Sequence, residues 1–288
     1  MKRFIKKTSI FLISFTIVLI LLFCMIKIAN RPHRLPKNIN TIIIGDSHPK
    51  CALDAKLLTN TANLSMDREP YMGSYYKIQK ITKDNPQINN IVLGFSYHNF
   101  SSYYDDFVLG DDSKVFTDRY IQLMSFSDYI RLLINRPKAL KSLSCVLNPF
   151  KERYLKAIVY DSTGVQGFKR DSMKKRLALQ FKGKANTGLI SDIQTEYFNK
   201  TVKYCKDKKI RLILVNTPLH EEYAKQLPGE LKKFFNEKLA KSGLDYIDMN
   251  EIEYDDRMYM PDGDHINING LKRGTEFFKE KLSKIISR

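Results

Sequence analysis

The chain is poor in residues that cross-link or ligate. Four cysteines in 288 residues do not make a disulfide framework. Cys24 falls inside an apolar run, which leaves Cys51, Cys145 and Cys205 as an odd set. Cys205 lies in a helical pattern and reads as a small buried apolar side chain; spacing does not indicate a Cys51 to Cys145 bridge. No zinc-ligand spacing and no aromatic-basic ribonucleoprotein motif occurs, so nucleic acid is not an expected partner despite a net charge of +17. No internal repeat or low-complexity tract is found, which argues against a repeat architecture. Histidine is scarce: His33, His48, His98, His220 and His265 are the five.

Acidic residues are missing altogether from positions 1 to 37, where Lys2, Arg3, Lys6, Lys7, Lys27, Arg31, Arg34 and Lys37 carry eight positive charges. The remainder holds 40 basic against 31 acidic residues, a surplus of nine. That surplus suits anionic polymers or lipid head groups, although a Lys-, Asn- and Ile-rich composition accounts for it equally well. Thr8 to Ile26 is uncharged for about 19 residues, the length a helix needs to cross a bilayer. The cations before it keep the N-terminus in the cytoplasm and place the rest of the chain outside. A cleaved signal peptide competes with this reading, but the run is too long and lacks a small-x-small site. Leu21-Leu22-Phe23-Cys24 fails as a lipoprotein box at Phe23. The expected order is therefore an anchor over residues 1–30, a polar linker over 31–40 with Pro32 and Pro36 that lifts the domain off the membrane, and one domain over 41–288.

Apolar runs at 41–45, 60–64, 88–94, 210–216 and 245–248 predict strands. Helical spacing marks 71–81, 190–206, 221–241 (broken near Pro228-Gly229) and 269–286. Strand and helix alternate, which predicts an α/β fold in three layers, a central parallel sheet covered by helices on both faces. Residues 101–190 interrupt the rhythm and read as a helical insertion over the active face, with helices near 127–134 and 151–159. The aromatic residues of the insertion form its own core or line a substrate groove.

The first strand, Thr41-Ile42-Ile43-Ile44, stops abruptly at Gly45-Asp46-Ser47-His48. This delivers Ser47 to the end of a sheet, as a helix cap or as a nucleophile. A serine hydroxyl needs a base and an orienting group, and Met260-Pro261-Asp262-Gly263-Asp264-His265 supplies both types. His265 is otherwise a surface histidine in a polar loop. Asp46 reads as a turn holder, Asp264 as a turn former.

In these two blocks the chain resembles the SGNH (GDSL-type) hydrolase superfamily: Gly45-Asp46-Ser47 matches its nucleophile block and Asp262-Gly263-Asp264-His265 its Asp-x-x-His block. The resemblance implies a flavodoxin-like SGNH domain in which Asp262 orients His265 and His265 activates Ser47, with no cofactor and no metal. It also implies an oxyanion hole built from the serine N–H, a glycine after the second strand and an asparagine after the third. Here Gly73 comes late. Ser96 stands where the asparagine is expected, with Asn99 three positions on, so Gly73, Ser96 and Asn99 are the candidate donors. These departures, and the Thr217-Pro218 loop after a late strand, resemble a membrane-anchored branch that serves envelope polysaccharide O-acetylation and D-alanyl transfer.

The implied function is an extracytoplasmic serine esterase or O-acyltransferase acting on acyl esters of a cell-envelope glycan or polymer, with an acyl-donating membrane protein as a further partner. Two alternatives stay open. One is a non-catalytic polymer-binding or assembly protein on the same scaffold; the other is a metal-dependent phosphoesterase using Asp46, His48, Asp262, Asp264 and His265. His98 and His220 border the site or serve local structure.

Overall fold

Successive side chains of an extended strand point to opposite faces, so an unbroken run such as Ile42-Ile43-Ile44 has to be covered from both sides. The computed structural model, which describes residues 1–28, 32–110, 112–135, 154, 166–181 and 188–288, does this with a five-stranded sheet between two helical layers. In chain order the elements before the insertion are α1 (Lys2–Ile28), β1 (Thr41–Ile44), α2 (Ser47–Ala52), β2 (Thr61–Asn63), α3 (Tyr71–Asp84) and β3 (Asn90–Gly94). The insertion contributes α4 (Tyr103–Leu109), α5 (Ser113–Tyr120), α6 (Phe126–Asn135) and α7 (Arg170–Phe181). After it come α8 (Asp192–Asp207), β4 (Arg211–Asn216), α9 (Glu221–Lys225), α10 (Gly229–Ser242), β5 (Asp245–Asp248) and α11 (Ile268–Ile286). The helix expected near 151–159 and Cys145 lie outside the described residues, apart from Tyr154.

The strands are all parallel in the order β2-β1-β3-β4-β5. Ile42, Ile44, Ile91, Leu93, Leu212 and Leu214 face one layer, with Ile78 and Ile81 of α3, Tyr197 and Phe198 of α8 and Phe235 of α10. Ile43, Val92, Ile213, Val215 and Ile247 face the other, with Phe278, Leu282 and Ile285 of α11. The order reverses between β1 and β3, and in open α/β sheets the crevice at the carboxyl ends of such a pair is where ligands bind. Gly45 closes that crevice tightly: a Cβ there would lie 2.7 Å from Pro49 Cγ and 3.3 Å from the backbone of Gly94.

α3 runs on to Asp84, beyond the helical spacing read over 71–81, and residues of the polar linker lie against its end. His33 N–H donates to Asp84 Oδ2 (2.9 Å), Leu35 N–H to Asn85 Oδ1 (2.7 Å), and Asn85 Nδ2 to the carbonyl of His33 (2.7 Å). The linker thus packs on the C-terminal end of α3 through the buried side chains of Asp84 and Asn85. Before it, Lys2–Leu22 of α1 is long and apolar enough to cross a membrane, and its large side chains, Phe11 and Leu21 among them, are exposed.

The loop from β2 into α3 carries a fully buried ion pair, Glu69 with Lys77. Lys77 Nζ also donates to the Leu64 carbonyl (2.8 Å); Ser74 Oγ (2.9 Å) and Tyr120 OH (3.0 Å) donate to Glu69. Burial pushes the Glu69 carboxyl up and the Lys77 ammonium down, each against the pull of its partner.

Candidate active site

β1 ends at Ile44, and the chain turns into α2 with Asp46 as the cap: its Oδ1 accepts the N–H of His48 at 2.9 Å. Ser47 is the first residue of α2, so its N–H has no intrahelical acceptor and its hydroxyl stands at the carboxyl edge of the sheet. On the far side of the chain, the loop before α11 doubles back through Gly263, which is left-handed (φ 68) and packed so closely that a Cβ would lie 2.9 Å from the Phe168 ring. Inside this turn Asp262 Oδ1 accepts the N–H groups of Asp264 (3.1 Å) and His265 (3.2 Å).

The long-range contact is a relay. Ser47 Oγ lies 2.8 Å from His265 Nε2, and His265 Nδ1 lies 2.8 Å from Asp262 Oδ2. With a carboxylate on Nδ1, that nitrogen carries the proton and Nε2 faces the serine as an acceptor. Burial pushes the Asp262 carboxyl up, but the charge of His265 and its hydrogen bond hold it below the usual carboxylate range. The arrangement can take a proton from Ser47 Oγ and return it to a leaving group.

Below the relay sits a second polar cluster, which joins Asp46, His48 and Asp264 of the metal alternative to His98, Asn99 and Tyr104. Asp46, 2% exposed, accepts on Oδ2 from Tyr104 OH (2.5 Å), His98 Nε2 (2.6 Å) and Asn99 Nδ2 (2.8 Å), and on Oδ1 from His48 Nδ1 (3.2 Å). The other nitrogen of His48 donates to Asp264 Oδ1 at 2.9 Å. Burial alone would push the imidazole down; the carboxylates of Asp264 and Asp46 instead lift it to about 10, so the ring is an imidazolium at neutral pH. Asp46 and Asp264, which burial would raise, are held well below the usual range chiefly by His48. His98 goes the other way, lowered by burial and by the His48 charge.

The candidate oxyanion donors are turned elsewhere. Gly73 lies in the first turn of α3 beneath the Tyr120 ring, 2.6 Å from where its Cβ would be. Ser96 N–H donates to Asn99 Oδ1 (2.7 Å), and Asn99 Nδ2 is spent on Asp46. None of the three is hydrogen-bonded to Ser47 or His265 among the described residues. In the loop after β2 the left-handed residue is Arg68 (φ 53), and Ser65 Oγ is buried without a partner among the described residues. The N–H of Ser47, in the first turn of α2, has no acceptor within its own helix and is a candidate donor.

Four of the five residues of the metal alternative, all but Asp262, fall in two groups that share His48. Asp46, His48 and His98 form one group close enough to surround an ion, and His48, Asp264 and His265 form another. They meet as hydrogen-bonded pairs, however. Both His48 nitrogens face carboxylates, and the His48 and His98 rings stack at 3.9 Å and 28°, which directs their nitrogen lone pairs alongside each other rather than to one point. A tetrahedral or octahedral ion needs convergent lone pairs. His220, the other histidine near the loop, stacks on Phe168 at 3.6 Å and reaches Asp256 (3.1 Å), so it serves the loop's packing.

No family model matches the chain, and no curated relative matches it. Among solved structures it is similar to a Bacteroides fragilis protein described as an acylhydrolase, with 9% identity over 90% of this chain and 92% of that one and a TM-score of 0.42. It is also similar to a Streptococcus pneumoniae protein described as a platelet activating factor, with 12% identity over 96% and 99% and a TM-score of 0.39.

Proposed function

We propose that the chain is a serine-dependent acyl-transfer enzyme of the SGNH type, an esterase or O-acyltransferase, held at a membrane by α1. The observation that carries the reading is the unbroken relay from Ser47 Oγ through His265 to Asp262, with both links at 2.8 Å. Ser47 Oγ attacks an ester carbonyl carbon while His265 Nε2 takes its proton. The tetrahedral intermediate collapses, the ester C–O bond breaks, and His265 returns the proton to the departing alcohol. An acceptor hydroxyl, from water or from a glycan, then attacks the acyl-serine with the same proton path, which restores Ser47. Asp262 keeps His265 in the required tautomer, and the Ser47 N–H faces the developing oxyanion.

The substrate side of the reading rests on position. With α1 as an anchor and residues 33–35 tied to α3, the site is kept near the bilayer, where ester-bearing envelope polymer is the natural substrate. A cavity of about 720 Å³ at the carboxyl ends of β4 and β5 adjoins the site loop through the His220 N–H to Gly263 carbonyl bond (2.9 Å). Its lining, which includes Asn216, Asp248, Glu253, Asp256 and Tyr97, offers acceptors and an aromatic ring suited to a hydroxyl-rich chain.

One observation favours a second reading, a binding or assembly protein on this scaffold: Asn99 has its amide turned into Asp46, and Gly73 is covered by Tyr120. The two separate cleanly in an assay of the full chain in detergent with a short-chain aryl ester. The enzyme reading expects turnover that disappears in Ser47→Ala and His265→Gln. Turnover equal to that of the variants in a folded wild-type protein supports the binding reading instead.

A further inference from the structure

The bond between Ser47 and His265 has a neighbour. Residue 48 is joined to residue 264, one position on in the first segment and one back in the second, by His48 Nε2 donating to Asp264 Oδ1 at 2.9 Å. The two segments, more than 200 positions apart in sequence, are therefore fastened at two consecutive rungs, one that reacts and one that does not. The rings of the two rungs also pack together: the His48 and His265 centroids are 4.2 Å apart at 30°. The second rung is held from outside the sheet as well. Asp264 Oδ2 accepts from Arg176 Nε (2.7 Å) and Gln180 Nε2 (2.8 Å), which lie one turn apart on α7 and so point the same way. Gln180 is fixed in turn by the Tyr223 hydroxyl.

We propose that Asp264, His48 and Arg176 are positioning residues for His265, and that α7 of the insertion sets the base's place by gripping Asp264 through Arg176 and Gln180. This rests on the serine-enzyme reading. Asp264 is fully buried and carries no freedom of its own, so where Arg176 and His48 hold it, the peptide linking it to His265 is held too. His265 must meet Ser47 Oγ within hydrogen-bond reach, and displacement of a reacting group by about 1 Å costs on the order of 100-fold in rate. A role in folding alone would use the same bonds but would leave the rate per folded molecule unchanged.

Steady-state kinetics of the full chain with the aryl ester, beside thermal unfolding, distinguish the two. Arg176→Gln is the main variant because the Arg176 side chain is 19% exposed, whereas those of His48 and Asp264 are almost fully buried. The expected result is a kcat lower by roughly 10- to 100-fold with KM within about twofold of wild type, on protein shown to be folded. Arg176→Lys, which returns the charge, restores part of the rate, and Asp264→Asn reproduces the loss. An active wild type with an Arg176→Gln variant of unchanged kcat overturns the positioning role while leaving the serine reading in place. A wild type no faster than Ser47→Ala overturns both.

Discussion

His48 provides a test of the buried cluster that does not depend on activity. Its imidazolium lies between Asp46 and Asp264 with the ring almost fully buried, and its pKa is lifted from 6.5 to about 10. Below pH 6.5 the folded and unfolded chains both hold the proton, and the stabilisation from the clamped cation is complete. Between pH 6.5 and 10 the unfolded chain has lost the proton and the folded chain keeps it, so stability falls as pH rises. Over that interval the difference integrates to about 5 kcal/mol, an order-of-magnitude figure from about 1.4 kcal/mol per pKa unit. His48→Gln keeps a donor facing Asp264 but has no proton to lose. Its destabilisation relative to wild type is expected to be largest near pH 6 and to shrink by several kcal/mol toward pH 10. Urea unfolding of wild type and variant across this range measures it directly, and taking the difference cancels groups whose titration His48 does not influence, Lys77 and Glu69 included. A difference that does not change with pH refutes the reasoning, because it means that His48 is neutral in the fold.

Four other outcomes are expected. Lys77→Ala strands the buried Glu69 carboxylate and costs about 3 to 5 kcal/mol in urea unfolding, whereas Lys77→Met with Glu69→Gln lies closer to wild type. Asp262→Asn, which removes the anionic acceptor from His265 Nδ1, lowers kcat for an aryl ester by at least about 100-fold with the fold retained by circular dichroism. Dialysis against a chelator leaves ester turnover unchanged; a loss restored by one added metal would support the phosphoesterase alternative. Carbonate washing leaves the full chain in the membrane fraction, and removal of residues 1–31 releases it.

The sheet was legible because its strands carry their own signal. Ile42-Ile43-Ile44 and Leu212-Ile213-Leu214-Val215 are apolar on both faces, and Asp245–Asp248 was expected at the positions where β5 lies. The division of 221–241 was also readable, since Pro228 cannot continue a helix. Two short blocks pointed to Ser47, Asp262 and His265, and the structure brings these three side chains together. The cluster around Asp46 was not readable in the same way. Asp46 looks like a cap and Asp264 like a turn former, and both do serve local turns; their long-range partners, His98, Tyr104, Arg176 and Gln180, come from segments whose approach no periodicity encodes. The surroundings of the candidate oxyanion donors were unreadable for a related reason. Position after a strand suggested Asn99 and Gly73, but the direction of an amide or the ring covering a glycine is decided by tertiary packing, here by Asp46 and Tyr120.

In the proposed function Ser47 is an activated nucleophile. Intact-mass and peptide mapping of the full chain after exposure to a fluorophosphonate tests it most directly. One adduct is expected, on the peptide containing Ser47, absent in Ser47→Ala and slowed in His265→Gln. A folded wild-type protein that gains no mass, or that is labelled elsewhere while Ser47 stays free, contradicts it.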